Sequence, residues 1–153
     1  MTWTADQAIA ARTEAAEQMM RVFPEARGMK PARPPEWVAE FVDRMILDAA
    51  LCPHVRRGPR PMYAFVWERH WRCRPCLTAW TDEQQALREA GKARTLGPIE
   101  EFTCDFCRRY TGRTLSPVVI RLDLWIVNGA ACEVCFGYLR TIEGSLVVGD
   151  VDR

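Results

Sequence analysis

The chain is poor in the residues that usually carry catalysis and membrane insertion. It has two histidines and two lysines in 153 residues, and no apolar run near the roughly 18 residues that cross a bilayer. The short apolar runs exclude a transmembrane helix. The N-terminal stretch MTWTADQAIAARTEAAEQ lacks the basic-then-apolar order of a secretory leader. A cytoplasmic protein without membrane association is therefore expected. Scarce histidine leaves acid–base chemistry to carboxylates, and spacing singles none of them out. The sequence contains no Walker loop, Gly-rich dinucleotide fingerprint, His-Glu-x-x-His pair or Gly-x-Ser-x-Gly elbow. A nucleobase-deaminase signature fails as well: His54-Val-Arg has no glutamate, and Arg74-Pro75 lies inside a Cys pair rather than before it. The expectation is a non-enzymatic protein. A net charge of +1 excludes a DNA binder built on overall basicity. Six Trp and 48% hydrophobic residues exclude a disordered chain.

What the sequence does have is cysteine. Seven are present in a chain with no sign of secretion, which favours thiolate chemistry over a disulfide framework. Six of them form three Cys-x-x-Cys pairs: Cys73–Cys76, Cys104–Cys107 and Cys132–Cys135. Chance placement would give about 0.3 such pairs. The seventh, Cys52, has His54 two residues on. Two thiolates three residues apart face one ion when the backbone between them makes a tight turn. Four pairs supply eight ligands, enough for two tetrahedral, structural Zn2+ ions with no open position for water. The sequential pairing puts Cys52, His54, Cys73 and Cys76 on one ion and Cys104, Cys107, Cys132 and Cys135 on the other. It closes shorter loops than the interleaved, cross-brace alternative. His70, three residues before Cys73, competes with His54 as a ligand.

The expected architecture is α+β: N-terminal helices followed by two small zinc modules. Residues 4–23 read as an amphipathic helix burying Ile9, Ala16, Met19, Met20 and Phe23. A Pro-rich linker over 24–35 leads to a second helix from Pro35 to about Ala50, with Trp37, Val38, Phe41, Val42, Met45 and Ile46 as its core face. These make up a helical segment, 1–51. Module 1 spans 52–91, with a strand at Met62–Trp67 and a helix from about Leu77 that Gly91 stops. Module 2 spans 102–153, with strands PVVIRLD and LWIVN, Gly129 in a turn, a helix opened by Cys132–Cys135, and a last edge strand in SLVVGDVDR.

In module 2 the order is the knuckle CDFC at 104–107, a hairpin from Pro117 to Asn128, and CEVCFGYL at 132–139 opening a helix. This order resembles the treble-clef group of zinc folds, and residues 52–90 repeat it in weaker form. The resemblance implies a zinc-ordered scaffold and leaves activity open, since treble clefs serve ribosomal proteins, transcription factors, ubiquitin-related modules and HNH nucleases. The nuclease case needs histidines on the hairpin, and PVVIRLDLWIVN has none.

Charge becomes informative once it is localised. Residues 52–76 carry Arg56, Arg57, Arg60, Arg69, Arg72 and Arg74 against Glu68 alone, interleaved with Tyr63, Trp67 and Trp71. Arginine and aromatic residues on a rigid loop suit phosphate contact and base stacking. Arg108, Arg109 and Arg113 beside the CDFC knuckle could extend that surface. The arginine stems can equally pack on rings and offset thiolate charge. The expected partner is thus a nucleic acid or a nucleic-acid-processing machine; the alternative is a protein–protein interaction or structural module with no nucleic-acid contact. A regulatory or adaptor role in a high-GC bacterium or its phage is expected.

Overall fold

A computed structural model describes residues 4–22, 36–93, 101–141 and 145–147. Helix α1 (Ala5–Val22) opens on a reciprocal cap: the Gln7 amide donates to Thr4 Oγ1 (3.2 Å), and the Thr4 amide donates to Gln7 Oε1 (3.0 Å). Its buried stripe is Ala11, Ala15, Gln18 and Met19. The expected stripe was different. Ile9 is 58% exposed and Met20 lies at the surface, Ala16 is half-buried, and Phe23 lies outside the described residues. Polar anchors and small side chains set the rotation of this helix. Arg12 pairs with Asp123 (2.5 Å) and its carbonyl accepts from Arg121 Nη2 (3.2 Å), while Ala11 and Ala15 permit close approach.

Helix α2 (Glu36–Asp48) buries Val38, Val42 and Met45. Strand β1 (Ala50–Leu51) follows and pairs in parallel with β3 (His70–Trp71). Between them lie a short 3-10 turn over Pro53–Arg57 and strand β2 (Met62–Phe65). Helix α3 (Arg74–Glu89) begins three residues earlier than expected, so Cys76 falls in its first turn. It ends at Gly91 (φ 67°), where the amides of Gly91 and Lys92 donate to the carbonyls of Arg88 and Leu87.

Strands β4 (Ser116–Leu122) and β5 (Trp125–Ala131) form an antiparallel hairpin across Asp123-Leu124, and helix α4 (Glu133–Leu139) follows. Strand β6 (Ser145–Val147) adds to the β4 edge, as expected for the start of SLVV. The sheet order is β2-β5-β4-β6, with β2 parallel to β5 and Met62 opposite Trp125. One sheet therefore takes strands from both Cys-rich halves of the chain.

Gly129 sits inside β5, not in a turn as its residue type suggests. A Cβ there would lie 3.0 Å and 3.2 Å from the Phe106 ring and 3.1 Å from Val66 Cγ2. The glycine is required by close approach of the ring, not by chain reversal.

The sheet is covered on both faces, which explains its nearly continuous apolar strands. Met62, Ala64, Val118, Ile120 and Val127 meet α2, and Tyr63, Val119 and Ile126 meet Met19 of α1 and Leu77 of α3. On the first face the core divides into two clusters. Val38 packs with Cys104, Phe106, Cys132, Cys135 and Leu139, while Val42 and Met45 pack with Cys52, Trp71 and Cys73. Phe41 touches both, so α2 runs from one Cys-rich cluster to the other.

Candidate metal centres

Two ligand groups assemble at the ends of these clusters. Cys52, His54, Cys73 and Cys76 form one, and Cys104, Cys107, Cys132 and Cys135 form the other. This is the sequential pairing, with His54 and not His70. Each group is built in the same way. A first pair sits in a loop, and a second pair places one Cys at a helix N-cap and the other in the helix's first turn. Cys73 (φ −70°, ψ 168°) caps α3 and Cys132 (φ −68°, ψ 165°) caps α4 with nearly identical backbones. The capping amide in turn donates to the first sulfur: Cys73 N to Cys52 Sγ at 3.4 Å, and Cys132 N to Cys104 Sγ at 3.3 Å. Such amide donors stabilise thiolate charge.

The donor spacing tests whether a metal ion fits. With Zn–S bonds of about 2.3 Å, tetrahedral geometry puts sulfurs about 3.8 Å apart. Cys107 Sγ and Cys132 Sγ are 3.8 Å apart. His54 Nδ1 lies 3.7 Å from Cys73 Sγ and 3.3 Å from Cys76 Sγ. Within each group all donor atoms lie within 4.8 Å of one another. All seven thiols are free, and these separations are far from a disulfide of about 2.05 Å. Both groups can hold a metal ion.

Without a cation the thiols compete for protons. Burial pushes the Cys76 thiol up to about 11 and, with neighbouring thiols, Cys135 well above its ordinary range. Cys104 also rises through burial. Cys52 and Cys132 fall because hydrogen bonds from neighbouring groups outweigh the cost of burying their charge. Four donors with such divided demands are reconciled by a dication, which lets every thiol ionise.

The second knuckle is clamped to the sheet. The Asp105 amide donates to the Ala130 carbonyl (3.0 Å), and the Ala130 amide donates to Asp105 Oδ2 (2.6 Å). Burial still raises the Asp105 carboxyl above its usual range, against the pull of that amide.

The six arginines of 52–76 do not share one environment. Arg56, Arg57, Arg69 and Arg74 are exposed, and no hydrogen bond or ion pair holds their side chains among the described residues. Arg60 is half-buried and donates to the Gly58 carbonyl. Arg72 is turned inward at 8% exposure. It grips Glu68 through its two terminal guanidinium nitrogens, with Nη2 at 2.8 Å from Oε1, and lies 4.7 Å over the Trp80 ring. Of the three aromatic residues expected beside them, only Trp67 reaches solvent. Tyr63 and Trp71 are core residues, and the Trp71 indole donates to the Met45 carbonyl at the end of α2.

Trp37, read from its helical spacing as core, is 39% exposed beside the second metal group, near the exposed Tyr110 and Tyr138. Tyr110 and Tyr138 are 28 residues apart in sequence and carry no periodic signal that links them. No protein family, curated protein or solved structure matches the chain. No helix among the described residues is long and apolar enough to cross a membrane.

Proposed function

We propose that this chain is a non-enzymatic, zinc-stapled protein that binds nucleic acid through the exposed arginines of its first metal module, in a regulatory or adaptor role. Zinc is the ion best suited to a donor set of three thiolates and one imidazole, or of four thiolates, at tetrahedral spacing. It would be held by Cys52, His54, Cys73 and Cys76 and by Cys104, Cys107, Cys132 and Cys135. Its contribution is structural, since four protein donors fill the coordination sphere. The knuckle, hairpin and helix order of 104–139 supports the treble-clef resemblance.

One observation carries the nucleic-acid reading. Arg56 and Arg57 stand exposed, with no side-chain hydrogen bond or ion pair among the described residues, in the short turn that follows Cys52 and carries His54, whereas Arg72 is consumed internally. Free guanidinium groups on a rigid base suit phosphate contact. Elemental analysis should give two zinc equivalents per chain, and an iron–sulfur chromophore or metal-free protein defeats the scaffold. Binding to mixed-sequence nucleic acid should weaken with salt and drop on Arg56→Ala/Arg57→Ala with the fold intact. No retention at low salt turns the reading to a protein partner.

A further inference from the structure

A second surface, which Arg56 and Arg57 do not line, has a more specific chemistry. A groove of about 790 Å3 opens between the first turn of α2, the segment after the CDFC knuckle, and α4. Among the described residues nine large hydrophobic side chains are exposed, and four of them, Trp37, Tyr110, Val134 and Tyr138, line this one groove. Tyr110 is 61% and Tyr138 66% exposed, an unfavourable arrangement for rings that only fill space. Arg109 and Arg113 stand among them, and among the described residues their side chains have no hydrogen bond or ion pair and Glu133 is the only carboxylate lining the groove.

We infer that this groove binds unpaired nucleotides, so that the nucleic acid taken by this protein is single-stranded; the inference rests on the nucleic-acid reading above. Three rings offer faces to bases, and two guanidinium groups offer contacts to the phosphates between them. Stacking on aromatic side chains accepts any base but requires that its face be free, which a duplex denies. Two arginines against one glutamate favour an anionic strand over a neutral or basic peptide. Cys107, Cys132 and Cys135 stand in the groove wall, so a metal ion bound by that group would tie the segment carrying Tyr110 to the helix carrying Tyr138.

The test uses the full-length, metal-loaded protein and fluorescence anisotropy of a labelled short oligothymidylate, with a duplex of equal length alongside. The single strand should bind more tightly. Tyr110→Ala and Tyr138→Ala should each weaken it about tenfold while leaving the salt dependence unchanged. Arg109→Gln/Arg113→Gln should reduce the slope of log affinity against log salt by about 1.4, two single-strand phosphate contacts. Metal content and near-UV circular dichroism confirm that the variants are folded. Equal or tighter duplex binding overturns the inference. So does single-strand binding that ignores both tyrosine variants yet is lost on Arg56→Ala/Arg57→Ala, which leaves the first-module reading standing. If neither nucleic acid binds, both readings fall and the groove belongs to a protein segment.

Discussion

Replacing Cys104 by serine should unfold the whole protein and not only its C-terminal half. Cys104 is fully buried and sits in one cluster with Val38, Phe106, Val118, Ile120 and Leu139. A structural zinc site contributes about 10–16 kcal/mol at neutral pH. A whole domain has only about 5–15 kcal/mol of net stability. Loss of one site therefore matches or exceeds what holds the fold. The effect should spread because α2 is shared: Val38 serves the second cluster, Val42 and Met45 the first, and Phe41 both. Strand β2 adds a second link, since its partner β5 leads directly into Cys132. The assay is near-UV circular dichroism together with zinc content. The edge-to-face pair Trp71–Trp125, with centroids 4.8 Å apart, reports on the first cluster, remote from the mutated sulfur. Its signal should vanish in Cys104→Ser and in chelator-treated wild type, and return on adding zinc but not magnesium. A Cys104→Ser protein that keeps one zinc and the native tryptophan signal would refute the shared-helix reasoning. A metal-free wild type that melts cooperatively would refute the larger claim.

The other predictions concern single contacts. Glu68→Gln should cost about 3 kcal/mol in urea unfolding, because it leaves the buried Arg72 guanidinium without its carboxylate; Arg72→Met should leave nucleic-acid affinity unchanged, and a folded variant with lost affinity contradicts the internal role. Gly129→Ala should destabilise by about 1–3 kcal/mol, since its methyl meets the Phe106 ring and Val66 at once; an unchanged melting temperature would show that the ring moves freely. Burial raises the Tyr63 hydroxyl from 10.0 to about 12, so the unfolded chain loses that proton first as pH rises. Stability should fall between those two values, and Tyr63→Phe should flatten the fall.

Much of the scaffold was legible because metal ligation leaves a spacing signature. Cys-x-x-Cys is a local turn, and its repetition names the candidate ligands before any fold is known. The helices and the β4–β5 hairpin were legible for the same reason, since their periodicities and turn residues act within a few positions. The rotation of α1 was not. Hydrophobicity favours Ile9 and Met20, but the Arg12–Asp123 pair and the small Ala11 and Ala15 turn a different stripe inward. Gly129 was misread because a glycine needed for close packing looks, in sequence, like one needed for a turn.

The sequence by itself named the seven cysteines as candidate ligands, favoured the sequential grouping and located the segment that concentrates arginine, because each of these is a property of neighbours along the chain; the structure then placed His54, and not His70, with Cys52, Cys73 and Cys76. Only the tertiary structure decided which arginines are free. Arg72 lies two residues from Arg74, yet one faces Glu68 and Trp80 and the other faces solvent. It also decided that β2 lies parallel to β5, and that Trp37, Tyr110 and Tyr138 share one groove. Parallel pairing and surface convergence join residues tens of positions apart, and no local preference encodes such contacts. They follow from how α2 and the two metal groups close around a common sheet.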